Sequence, residues 1–98
     1  MNVRFGDECL DRMEVDPRED CGFSSAVVAA FRKRMQLIRA APDERDFYAL
    51  KSLHYEKLKG DRKHQRSMRL NDQWRLIIEI EGKAAEKVAV IVRIEDYH

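Results

Sequence analysis

The strongest alternation of apolar and polar positions lies in the C-terminal third of the chain. Met68 and Leu70 alternate with Ser67 and Arg69, and Trp74, Leu76, Ile78 and Ile80 repeat the pattern beyond them. A period of two places these side chains on one face of half-buried strands. Asn71-Asp72-Gln73 between them reads as a turn, so Leu70 should pair with Trp74 across a three-residue loop. After a loop over 81–86, Val88, Val90, Val92 and Ile94 alternate with Ala89, Ile91 and Arg93 and predict a last strand. Upstream the period changes. Val27, Phe31, Met35 and Ile38 recur at spacings of four, four and three, the apolar stripe of a helix. Ser24 or Ser25 caps it and Ala41-Pro42 ends it. Arg32, Lys33, Gln36 and Arg39 cover its other side, a face suited to RNA or an acidic partner and equally to plain solvation.

Shorter elements precede and follow this helix. Val3 and Phe5 around Arg4 give a brief strand that Gly6 ends. Asp7 caps a helix through about Val15 that turns Leu10 and Met13 inward, and Pro17 closes it. Asp43 caps a second short helix with Phe47, Leu50 and Leu53 as its buried side. Strand, helices and then an antiparallel meander make an α+β fold. The expectation is a single domain over 1–98, with N-terminal helices packed on a three- to four-stranded antiparallel sheet.

Composition narrows the class. At 44% hydrophobic and 38% charged, the chain builds one modest core under a well-solvated surface. The net charge is only +1, yet residues 1–20 hold three basic and seven acidic side chains, and residues 51–75 hold eight basic and three acidic. That polarity points to an anionic ligand on one side. Cys9 and Cys21 show neither metal nor redox spacing, so reduced thiols are expected rather than a disulfide framework. Three His without ligand spacing imply no metal site, and no cofactor motif is present. No apolar run is long enough to cross a membrane, and the start is acidic where a signal peptide is basic. A cytoplasmic protein is expected.

The basic charge concentrates between Lys57 and Arg75, where Lys57, Lys59, Arg62, Lys63, Arg66, Arg69 and Arg75 outnumber Asp61 and Asp72. The hairpin register sets Arg69 opposite Arg75, both on the face away from Met68, Leu70, Trp74 and Leu76. Like charges at such a pair cost roughly a few tenths of a kcal/mol. A phosphate between two guanidinium forks relieves that repulsion; splayed side chains on a solvated face do so as well.

LKGDR at 58–62, SMRLNDQWRL at 67–76 and the terminal EDYH at 95–98 resemble the HigB group of bacterial toxins, within the RelE-like superfamily of type II toxin–antitoxin systems. The resemblance runs over most of residues 24–98. It implies a metal-independent endoribonuclease that enters the ribosomal A site and cuts mRNA. It also implies a HigA-like antitoxin with a helix-turn-helix domain, through which alone the toxin reaches operator DNA. The family's functional positions fall on Lys59, Arg69, Arg75, Tyr97 and His98, with Lys57, Arg62, Lys63 and Arg66 as flanking RNA-binding cations. A Gly and an aromatic or His are common where this chain has His64 and Arg66. Some relatives carry a working His just before LKGDR, but His54 stands two residues too early and stays outside the set. The chemistry agrees: cleavage needs a base for the 2′-hydroxyl, cations on the charge at phosphorus and an acid for the 5′-oxygen. Lys59 and His98 suit the proton transfers in either order, Arg69 and Arg75 the charge, and Tyr97 stacking or a proton. The alternatives are a non-catalytic RNA- or DNA-binding module and a gyrase-type target-binding module of the same fold.

Overall fold

The computed structural model describes residues 1–83 and 86–97. Its elements are β1 (Asn2–Phe5), α1 (Glu8–Val15), α2 (Ser25–Ala40), α3 (Arg45–Ala49), β2 (Glu56–Lys57), β3 (Gln65–Arg69), β4 (Trp74–Glu81) and β5 (Val88–Asp96). The helix ends follow the capping chemistry. Asp7 accepts from the amides of Cys9 and Leu10 at 2.8 and 3.1 Å, and Ser24 accepts from Val27 at 3.3 Å. The start of α3 differs: its capping position is Glu44, which makes no side-chain capping bond, and Asp43 just before it accepts from the Arg45 amide at 3.0 Å. The helices lie on one face of a sheet ordered β1-β5-β4-β3-β2. Phe31, Met35 and Ile38 of α2 meet Met68, Leu76, Ile78 and Ile91 in the core, and Leu10, Met13 and Phe47 close its ends.

The sheet departs from the expected one. It has five strands, and β1 runs parallel to β5, with Asn2 opposite Val88 and Phe5 opposite Ile91. The sheet is therefore mixed. The alternation in residues 2–5 identifies a strand but carries no information about a partner at the far end of the chain. A two-residue β2 adds the other edge, with Glu56 opposite Ser67 and Lys57 opposite Arg66.

Three further corrections have local causes. Pairing between β4 and β5 shifts at Ile77/Ile78, so that Ile77 faces Arg93 while Ile78 faces Ile91, and Val92 is the extra residue. Ala89, Ile91 and Ile94 therefore face the core instead of an unbroken 88-90-92-94 series. Leu50 is 45% exposed because α3 ends at Ala49 and its backbone turns extended there. Cys9 and Cys21 form a disulfide, with Cα atoms 5.9 Å apart. The cap places Cys9 at the start of α1, and a turn closed by Phe23 N–H donating to the Asp20 carbonyl brings Cys21 back to it. Cys21 and Gly22 both take positive φ there, 52° and 81°.

Candidate nucleic-acid interface

The β3–β4 hairpin forms as its sequence requires. The Leu70 amide donates to the Trp74 carbonyl at 2.9 Å, and Asn71 Oδ1 accepts from the amides of Gln73 and Trp74 at 2.9 and 2.8 Å. Arg69 pairs with Arg75 in the register. Period-two alternation sends both side chains to the sheet face opposite the helices. Ile77 and Val90, buried yet outside the main core, form the apolar floor of that face.

Arg75 stands between two occupied neighbours. Arg69 on β3 directs one guanidinium nitrogen to Asp72. Glu95 on β5 lies opposite Arg75, but its carboxylate accepts a two-pronged contact from Arg62 at 2.9 and 3.0 Å and another from Arg93 at 3.1 Å. The Arg62 hydrogen bonds, then those of Arg93, hold the Glu95 carboxyl below the usual carboxylate range against the opposing effect of burial. Arg75 is left with Nε and Nη1 buried and without an acceptor. Its guanidinium carbon sits 4.2 Å from the centre of the Tyr97 ring, which orients the fork without satisfying its N–H groups. Tyr97 is itself held by its amide donating to the Gln73 carbonyl at 2.6 Å, while 53% of the residue stays exposed. Buried donors without acceptors cost about 1–3 kcal/mol each, and an anion entering here supplies the missing oxygens.

The other sequence-selected residues divide by place. Lys59 precedes the tight helical turn Gly60–Arg62, and its ammonium has no partner among the described residues. Lys63 is exposed in the same way, whereas Lys57, though exposed, pairs with Arg66 and so stands at the sheet edge on the helix side rather than on the face of Arg69 and Arg75. Arg62 faces the same sheet side, but its fork is committed to Glu95 and its Nε to Gln65 at 3.2 Å. Arg66 is placed elsewhere. It shares the parity of Met68 and Leu70, its side chain is 18% exposed, and its Nε reaches Glu44 at 3.1 Å on the helix side. Glu44 also accepts from the Tyr55 hydroxyl at 2.8 Å. Burial and that bond push the Tyr55 phenol above its ordinary pKa. His98 lies outside the described residues.

His54, left outside the expected set, comes close to it. The chain turns left-handed there, φ 45°, and brings the ring Nε2 within 3.5 Å of Arg69 Nη1. A residue two positions from the family spacing thus reaches the site through a backbone turn, which linear spacing does not reveal.

Comparison with known proteins fits this geometry. The family model of HigB-like toxins, RelE-like toxins of the type II toxin–antitoxin system HigB, matches residues 3–98. None of the curated proteins matches the chain. The fold is similar to that of the YoeB/ParE toxin from Agrobacterium tumefaciens, with TM-score 0.65 and 18% identity over 100% of both chains. YafQ from E. coli strain BL21(DE3) gives 0.57 and 13% over 97% of this chain and 91% of that one. The conserved hypothetical protein HP0894 from Helicobacter pylori gives 0.54 and 16% over 99% and 94%. At these identities the structures speak for the fold, and the family match for descent: the chain belongs to the HigB-like group of RelE-like toxins of type II toxin–antitoxin systems.

Proposed function

We propose that this toxin is an endoribonuclease that cuts mRNA in the ribosomal A site and thereby stops translation in the cytoplasm. The observation that carries the reading is Arg75: two buried N–H groups lack acceptors beside a second guanidinium, on an exposed basic face. With the Tyr97 ring moved off the guanidinium, a scissile phosphate satisfies those donors, which are closed to solvent at rest, and bridges Arg75 to Arg69. In-line attack by the 2′-hydroxyl builds charge on the phosphate oxygens, which fixed guanidinium donors stabilise. Tyr97, half exposed, offers an aromatic ring for stacking on a base. Lys59 and His98 are the groups suited to moving protons from the 2′-oxygen and to the 5′-oxygen, so the reaction requires no metal ion. Lys63, which has no ion pair among the described residues, holds the RNA backbone. A HigA-like antitoxin with a DNA-binding domain is the cognate partner and carries the complex to operator DNA.

The deciding experiment is single-turnover cleavage of mRNA on programmed ribosomes, with the same RNA free in solution and with EDTA. Cleavage only on the ribosome and unchanged by EDTA is the expected result. Growth inhibition with intact mRNA returns the chain to the target-binding module.

A further inference from the structure

The basic flank of α2 singled out in the sequence takes no part in the face that carries Arg69 and Arg75. Arg32 is committed to the last turn of α1 and the residue after it, donating to the carbonyls of Met13 and Asp16 at 2.9 and 2.8 Å. Arg39 is held by Glu14 at 2.6 Å. Lys33 and Arg34 are different. Neither forms an ion pair among the described residues, and residues 25–40 contain no Asp or Glu to supply one. Arg34 uses its Nε on the Arg69 carbonyl at 2.9 Å. Burial, and then the charge of Arg69, lower the Arg34 pKa, so this guanidinium lacks the carboxylate that stabilises its charged form.

These two cations rim an open groove of about 270 Å³ whose apolar walls are Ala26, Ala29, Ala30 and Leu70. Its size falls just under the range of about 300–1,000 Å³ typical of small-molecule sites. It lies between the first half of α2 and the end of β3, on the helix side of the sheet. The first turn of α2 carries no acidic residue either, so the positive end of the helix dipole adds to the same field.

We infer that the groove of Ala26, Ala29, Ala30 and Leu70 is where the antitoxin docks, inserting an apolar side chain flanked by carboxylates that pair with Lys33 and Arg34. This rests on the membership in a toxin–antitoxin family. The apolar walls favour a protein segment over nucleic acid: a bare phosphate backbone pairs with the rim but buries nothing against the alanines. The small side chains along the groove also let another backbone approach closely, and carboxylates set the register against the rim charges.

Two variants test it against the purified antitoxin encoded beside this gene, with affinity measured by titration calorimetry over a range of salt. Ala29→Arg fills the groove and adds like charge at an exposed helix position where Arg is an acceptable helix former. Lys33→Glu reverses one rim charge. Thermal melts and single-turnover cleavage on programmed ribosomes serve as controls, because neither residue belongs to the cleavage site. The expected result is that Ala29→Arg weakens the complex at least about 100-fold. Lys33→Glu should weaken it at least about tenfold and flatten its salt dependence. Both variants should melt and cleave like the parent. Binding within about twofold of the parent in both variants overturns the inference while leaving the toxin reading intact. So does the absence of any complex with the parent protein. If the variants lose RNA affinity but keep the antitoxin, the groove is a nucleic-acid surface and the inference fails in that direction. If the parent binds antitoxin through the groove yet leaves mRNA intact, the docking surface stands and the endoribonuclease reading falls.

Discussion

Replacing Arg75 by Met should lower activity and raise stability together. Met keeps most of the apolar stem that Arg75 packs into the sheet and removes only the charged head. Three terms change in the folded protein without RNA. Two buried N–H donors without acceptors disappear, relieving about 1–3 kcal/mol each at most. The Arg69–Arg75 pairing loses its repulsion, a further few tenths of roughly a kcal/mol. Against these stands the stacking on Tyr97, worth about 0.5–1 kcal/mol at a partly exposed site. The balance favours the variant by about 1 kcal/mol or more. In a domain of 98 residues that raises Tm by about 4–8 °C per kcal/mol. In the cleavage reaction the same substitution removes a fixed donor from the developing charge, a loss of about 10²–10³ in rate. The two readouts are differential scanning calorimetry and single-turnover cleavage on programmed ribosomes. A lower Tm with the same rate loss refutes the reasoning, since Arg75 would then be holding the hairpin together rather than waiting for a phosphate.

Other expectations follow from separate features. Reducing the Cys9–Cys21 bond, which spans 12 residues, should destabilise the fold by about 3 kcal/mol and lower Tm on the order of 15 °C; melts with and without dithiothreitol check this. Glu95 has a lowered folded-state pKa, so its contribution is complete above the ordinary Glu pKa and is lost as pH falls through the lowered value. Acid melts should therefore fall more steeply for the parent than for Glu95→Gln, and identical pH profiles would show that the Arg62 and Arg93 contacts contribute nothing. Arg66→Met should cost stability by about 1 kcal/mol, because Glu44 loses one charged partner but keeps the Tyr55 hydroxyl and the Lys87 ammonium. It should leave the salt dependence of RNA binding unchanged, whereas Lys59→Ala and Lys63→Ala should each reduce that slope by about 0.7. A reduced slope for Arg66→Met would return that residue to the RNA face.

Local chemistry made much of this molecule legible in its sequence. The 70–74 hairpin, the capping aspartate and serine and the α2 stripe each depend on residues within a turn or two of one another, and each forms as its spacing requires. Contacts between distant segments were not legible. Nothing in residues 2–5 names β5 as a partner, and Arg62 and Glu95 meet across 33 positions without a motif to link them. The disulfide depends on where a cap and a turn place two cysteines, which their separation alone does not disclose. Arg66 is a different case. Its parity with Met68 and Leu70 already assigned it to the helix side, but its charge drew it into the basic cluster. At His54 the spacing was two residues off, and a left-handed turn supplied the difference.

The extra residue at Val92 has a consequence for how this chain tolerates insertions and deletions. Strand parity is a binary quantity, and the bulge resets it once, five residues before Tyr97. Val92 is the spare residue: deleting it would let Arg93 follow Ile91 opposite Ile77 and Ile78, with every later side chain on the side it already occupies. Closing the bulge at unchanged length, with Val92 paired to Ile77, would instead send every side chain after it to the other side. Ile94 would then face the basic surface, while Glu95 and Tyr97 would turn toward the helices, taking the counter-charge of Arg62 and the stacking partner of Arg75 with them. The strand's end is therefore constrained through the bulge rather than through its length: loss of one residue at 92 is tolerated, but pairing that residue into the ladder exchanges the two faces.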